Sequence, residues 1–192
     1  MEPRDPIVIE LGDDRLAADV QGAVRRFAVD AEVVTALDRV DIQVPVGRMT
    51  VVSGPSGSGK STLLALLSCT QRPDEGGVRI GDTDVLALGR RARRELRRDR
   101  LGIVLPQPSE NLLDQLDAAA NVRWAAQQRR IPHRMNVPTD PAQLLAAVGL
   151  AGRAHLRTAS VPVLDRKLAM LAGALATNPK LLLLDEPVGG LD

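Results

Sequence analysis

The chain has 192 residues, enough for one domain, or a core with one insertion, that buries a sizeable apolar centre. Its formal net charge of +1, with charged residues at 26%, excludes a whole-molecule attraction to nucleic acid or acidic membranes. Aromatics are limited to Phe27 and Trp124, so the stacking platforms that bind single-stranded nucleic acid are missing, and the core must be built from Leu, Val, Ile and Ala.

Met1 to Asp5 is charged with no apolar h-region behind it, and no apolar run approaches the ~18 residues of a membrane span. The expectation is a chain soluble by itself. Cys69 is the single cysteine; it excludes an internal disulfide, suits a reducing cytoplasm, and reads as a small buried residue. Basic residues are nearly all Arg, with Lys only at positions 60, 167 and 180.

In chain order, Ile7 to Leu11, Ala23 to Phe27 and Val40 to Val44 read as short strands of a β-layer, and Pro45-Val46-Gly47 as a turn into an apolar strand at Met49 to Ser53. Directly after it, Gly54-Pro55-Ser56-Gly57-Ser58-Gly59-Lys60-Ser61-Thr62 fits G-x-x-x-x-G-K-[ST]. The glycines let successive backbone N–H groups turn inward around a polyphosphate, and the following helix presents its positive end. Lys60 reaches the β- and γ-phosphates and the Ser61 hydroxyl holds Mg²⁺. A chance Gly/Ser-rich turn would not need the Lys-Ser pair, the upstream strand and the downstream helix together.

Ser61 to Gln71 has Leu63, Leu64, Leu66 and Leu67 in a helical pattern stopped by Arg72-Pro73, and should be buried against a parallel sheet. Gly76 to Asp82 returns to the β-layer as turn, strand, turn. Leu86 to Ser160 reads as helical, with further helices at Asp114 to Arg130 and Pro141 to Leu150 joined by a linker, Ile131 to Asp140. Arg90 to Arg100 holds seven arginines, anchored by Leu96 and Leu101; the solvated face of a helix is favoured over a nucleic-acid patch because the whole chain is nearly neutral. His133 and His155 lack metal-ligand partners and read as surface residues.

Leu164, Leu168, Leu171 and Leu175 then fall at helical spacing up to the Asn178-Pro179 stop. Leu181 to Leu184 fits a strand buried on both faces, ending in Asp185-Glu186-Pro187. A carboxylate at the C-terminal tip of a parallel strand projects into the crevice where open α/β sheets bind ligands. Asp185 there would hold Mg²⁺ through its water shell, and Glu186 would accept the proton of a water attacking the γ-phosphate.

These residues resemble the ATP-binding cassette (ABC) family: Gly54 to Thr62 its Walker A, Leu181 to Pro187 its Walker B with catalytic Glu, and Gly189-Gly190-Leu191-Asp192 the start of its D-loop. The similarity covers essentially the whole chain. Val33 to Asp38, Arg72-Pro73, Leu86 to Val104 and Asn121-Val122 are most similar to cassettes serving lipoprotein-releasing and macrolide-exporting permeases. The resemblance implies an α/β fold, a P-loop NTPase (RecA-like) core with an N-terminal antiparallel β-layer and a helical insertion. It divides the chain into 1–85, 86–160 and 161–192. It further implies that Phe27 stacks on adenine, that ATP and Mg²⁺ are bound, and that an integral membrane permease and a second ABC subunit, in a homo- or heterodimer, are partners. No direct nucleic-acid partner is expected, and the location implied is cytoplasmic, peripheral on the inner face of the membrane.

Three departures qualify this. The signature L-S-G-G-[QE] falls on Val161-Pro162-Val163-Leu164-Asp165, where Pro162 offers no hydroxyl and Val163 and Leu164 add bulk at a close backbone approach. The Q-loop Gln falls on Pro106, leaving Gln107, displaced by one, as the candidate Mg²⁺ contact. The sequence ends at Asp192, before the strand that carries the family's switch His, so the expectation is a C-terminally truncated cassette. The expected function is the ATP-binding subunit of a transporter, completed by a partner with an intact signature. The alternatives are a non-hydrolysing regulatory or vestigial protein and, resting only on the arginine run, a DNA-associated ATPase.

Overall fold

A computed structural model describes residues 15–30, 32–128, 140–187 and 189. They fall into two compact units divided between Arg93 and Arg94. The strand expected at Ile7 to Leu11 and His133 lie outside the described residues, as does most of the expected linker.

The first unit is the antiparallel β-layer with one helix. Strands β1 (Leu16–Val29) and β2 (Glu32–Pro45) form a long hairpin, joined by β3 (Glu75–Ile80) and β4 (Thr83–Asp84) in the order β2-β1-β3-β4. Both hairpin strands are far longer than their apolar cores predicted, because register shifts between Leu16 and Arg26 break the alternation that marks a strand in sequence. Asp74 pins the shifted region. Its carboxylate accepts from the Arg26 backbone N–H at 2.7 Å and from Arg25 Nη1 at 2.8 Å, while its own N–H donates to the Val24 carbonyl. The Arg26 N–H is the main reason that this carboxyl sits below the usual range; burial opposes the shift and the Arg25 guanidinium assists it.

Helix α1 (Lys60–Leu67) lies against β2 and β3, burying Leu63, Leu66 and Leu67. Full burial of a side chain such as Leu66 stabilises the unit by about 2 kcal/mol. Beyond the C-cap Ser68, buried Cys69 has a φ of 57° that turns the chain out of the helix. The strand expected at Met49 to Ser53 is not formed. No described strand pairs with this segment, and Met49 and Val51 are 86% and 67% exposed. A strand exists only as part of a ladder, and apolar composition does not supply a partner.

Helix α2 (Arg90–Arg100), which crosses the division, exposes Arg90, Arg91, Arg94 and Arg100 and half-buries its other residues, none of them fully. In the second unit, β5 (Leu101–Val104) and β6 (Leu181–Leu184) pair in parallel, Leu101 opposite Leu181 and Val104 opposite Leu184. The stretch expected to be wholly helical therefore contains a strand. Helices α3 (Ala118–Gln127), α4 (Pro141–Ala147) and α5 (Val163–Ala176) pack together around Val122, Leu145 and Met170.

The helix expected from the leucine spacing is formed as α5, with Leu164 exposed and Leu168 and Leu175 packed, partly buried, against the core. Its most buried positions are the small residues Ala169, Ala172, Gly173 and Ala176. Close approach favours them: a Cβ on Gly102 of β5 would lie 2.9 Å from the Ala174 carbonyl oxygen, so helix and strand backbones nearly touch. Strand β6 buries Leu181 and Leu183 on one face; on the other, Leu182 is half-buried against the core and Leu184 is exposed, so the burial expected on both faces is complete on one only. Asn121, buried in α3, carries the loop before the helix: its side-chain oxygen accepts from Leu113 N and its amide donates to the Leu113 and Asp117 carbonyls.

Candidate functional site: a phosphate loop and an acidic strand tip

The candidate residues are divided between the units, the glycine-rich loop in the first and the acidic pair in the second. Gly59 is the N-cap of α1 with φ 87°, and Gly57 has φ 79°. These left-handed positions turn the loop so that Ser58 N donates to the Pro55 carbonyl at 3.3 Å. Lys60, the first residue of α1, reaches back into the loop. Its ammonium donates to the Gly54 carbonyl at 2.9 Å and the Pro55 carbonyl at 2.6 Å, with Ser58 Oγ at 3.5 Å.

Two features of this loop fit a polyphosphate with Mg²⁺. No side chain caps the N-terminus of α1 and no acidic residue lies in its first turn, so its free N–H groups and positive end are left for an anion. The Ser61 hydroxyl and the loop from Gly54 through Ser58, including Ser56, are exposed beside the lysine, and Thr62 follows half-buried. Phe27 is half-buried on β1, opposite Val34. The Arg25 guanidinium lies over its ring, 4.7 Å from the centroid, and is tied to Asp74 and to Gln71 Oε1. This cation–π contact joins two residues whose relation the sequence did not signal.

In the second unit the chain leaves β6 at Asp185, whose N–H donates to the Val104 carbonyl at 2.9 Å. Asp185 is half-buried at the C-terminal end of a parallel pair and Glu186 is exposed beyond it. Glu186 has φ 45°, a left-handed conformation uncommon for a residue with a side chain. Its carbonyl accepts from Lys167 Nζ at 2.9 Å and from Gly189 N at 3.0 Å. Sequence reasoning did not single out Lys167; the scarcity of lysine was the available signal.

Gln107 follows β5 at the same end of the sheet. It is the N-cap of a 3₁₀ turn at Pro108–Glu110: its side chain accepts from the Glu110 N–H and its own N–H donates to Glu110 Oε2. Asn111 binds this loop to itself by hydrogen bonds with Leu105 and Gln107.

The segment on which the signature was expected to fall, Val161 to Asp165, leads into α5. Pro162 is its N-cap, and Val163 and Leu164 stand 46% and 49% exposed on its first turn. Asp165, the acidic position, points inward instead, with both carboxylate oxygens within 2.9 Å of Arg153 Nη1. His155 is exposed, and among the described residues no group of His, Cys, Asp and Glu could hold a metal ion by itself.

A family model described as "ABC transporter" matches residues 37–189. The chain is 35% identical over 174 residues to the macrolide export ATP-binding/permease protein MacB of Vibrio parahaemolyticus, covering 90% of the chain and 26% of that protein. Over 168 residues it is 36% identical to the lipoprotein-releasing system ATP-binding protein LolD of Rhodospirillum rubrum, covering 88% of the chain and 73% of that protein. Among solved structures, a dimeric ATP-binding cassette in a post-hydrolysis state bound to ADP and Pi superposes with a TM-score of 0.79 at 27% identity. That superposition covers 91% of this chain and 76% of the other.

Proposed function

Since the chain belongs to the ABC transporter family, whose cassettes bind ATP with Mg²⁺ as the general cofactor, we propose that it is an ATP-binding subunit that energises an integral membrane permease. It would work at the inner face of the membrane. The observation that carries the reading is the Lys60 ammonium held against the Gly54 and Pro55 carbonyls at an uncapped helix start.

In this reading the backbone N–H groups from Gly57 to Thr62 hold the phosphates of ATP, Lys60 exchanges its loop carbonyls for the β- and γ-phosphates, and Phe27 stacks on the adenine. Ser61 in the first unit, and Asp185 and Gln107 in the second, are the residues that would hold Mg²⁺, which would supply positive charge to offset the phosphates. Glu186 accepts a proton from the water whose oxygen attacks the γ-phosphorus; the bond to the β-phosphate oxygen breaks and ADP leaves with the electron pair.

Pro162, Val163 and Leu164 shape the rest of the proposal. A helix start that offers two apolar side chains and no hydroxyl is poorly suited to closing over another subunit's γ-phosphate. The chain therefore functions in an asymmetric pair, completed by a second cassette subunit with an intact signature. The same segment favours, as a second reading, a subunit that binds ATP and does not hydrolyse it. Mixing the chain with an intact-signature cassette and measuring phosphate release separates the two. Mg-ATP turnover abolished by Glu186→Gln supports the first, ATP binding without turnover in any pairing supports the second, and no ATP binding at all overturns both.

A further inference from the structure

Glu186 is the most strained residue of the acidic tip. A residue with a Cβ costs about 1–2 kcal/mol in the left-handed region, and a residue before proline is pushed toward extended conformations. Glu186, with φ 45° and Pro187 behind it, goes against both tendencies. Its conformation persists only if the surroundings hold it.

Two donors meet its carbonyl. The Gly189 N–H closes the turn locally, and the Lys167 ammonium, 2.9 Å away, arrives from α5, a separate element. The lysine bond is charge-assisted and ties the peptide after Glu186 to a packed helix. Because Cβ direction follows the backbone, fixing that peptide fixes the Cα–Cβ direction from which the carboxylate is presented. Among the described residues Lys167 makes no ion pair with a carboxylate, so it holds Glu186 through the main-chain carbonyl alone.

We propose that Lys167 is a positioning residue: its ammonium locks the left-handed backbone of Glu186 and thereby aims the carboxylate that receives the proton in ATP hydrolysis. The inference rests on the reading of the chain as an ATPase subunit, but the backbone lock can be measured without turnover.

Lys167→Met keeps the aliphatic stem and removes the charge; Lys167→Arg keeps both. Amide hydrogen exchange on the whole chain should show a roughly tenfold faster Gly189 N–H in K167M, with α5 and β6 unchanged and K167R close to wild type. In the pair with an intact-signature subunit, K167M should lower kcat roughly tenfold or more at unchanged KM for ATP, and K167R should recover most of it. In the Glu186→Gln background, K167M should change nothing further. Acylation of the wild-type chain by an amine-reactive ester, which needs no variant to fold, should label Lys167 more slowly than the exposed Lys180. Unchanged Gly189 exchange in K167M, or labelling of Lys167 as fast as Lys180, overturns the lock. A wild-type kcat equal to that of K167M overturns the catalytic role. Absence of turnover in the wild-type pair counts against the proposed function instead, while exchange and labelling still decide the lock.

Discussion

Gly59 runs directly under the carbonyl of Ala36: a Cβ built on the glycine would lie 2.3 Å from that oxygen. The N-cap of the phosphate loop is thus pressed against β2, and its φ of 87° is also one that side chains disfavour. Gly59→Ala must move backbone as well as adopt the left-handed region. It should destabilise the first unit by about 2 kcal/mol or more, counting the conformational cost and the overlap. A lower thermal midpoint together with weakened ATP binding is the expected result; a native midpoint would show that β2 yields freely.

Lys60→Ala should leave the fold intact, because the side chain's bonds go to exposed loop carbonyls that water can satisfy. Losing a charge-assisted contact of about 1.5–3 kcal/mol predicts ATP binding weaker by roughly tenfold to a hundredfold. Calorimetric titration with ATP and Mg²⁺ measures this, with circular dichroism as the control for folding. Wild-type affinity in the variant would remove Lys60 from the site.

Glu186→Gln keeps shape and hydrogen-bonding capacity while removing the basic carboxylate. In the mixed subunit pair, phosphate release should fall by at least a hundredfold, consistent with the 10²–10⁴-fold typical of general-base catalysis, and ATP binding should be retained. Persistent turnover would mean that another group takes the proton.

The Asp74 carboxyl is held below its ordinary pKa, first by the Arg26 N–H and then by Arg25 against the opposing effect of burial. A depressed carboxyl stabilises the folded form above its unfolded pKa of about 3.9 and loses that contribution as pH falls through the lower, folded value. Asp74→Asn should therefore be less stable than wild type at neutral pH, and the gap should narrow as the solution is acidified below about pH 4. Parallel melting curves from pH 7 to pH 3 test the sign. A gap that widens in acid would contradict it.

The phosphate loop was legible because its chemistry is contiguous: glycines, Lys60 and Ser61 follow one another, so the backbone that cradles an anion and the charge that meets it are spelled in one run. The acidic tip was legible for the same reason, with four leucines leading into Asp185 and Glu186. What escaped were relations between segments. Lys167 and Glu186 meet across 19 positions, and Arg25 lies over Phe27 while its guanidinium is bonded to Asp74 and Gln71.

Hydrophobic periodicity located α5 but not its most buried residues. Leu168 and Leu175 pack against the core only partly buried, whereas the close approach of Gly102 to Ala174 favours the small residues Ala169, Ala172 and Gly173. Met49 to Ser53 shows the complementary limit, since composition can make a segment eligible for a sheet without giving it a neighbour.

That segment has a practical side. Met49, Val51 and Val52 stand in water next to main-chain groups that no described strand engages, the arrangement by which one molecule templates strands from the next. Prepared by itself, the protein should be sparingly soluble, shedding β-rich aggregate as it is concentrated. Exchanging Val51 for Thr, which keeps the branched shape and adds a hydroxyl, should raise the concentration at which aggregate first forms.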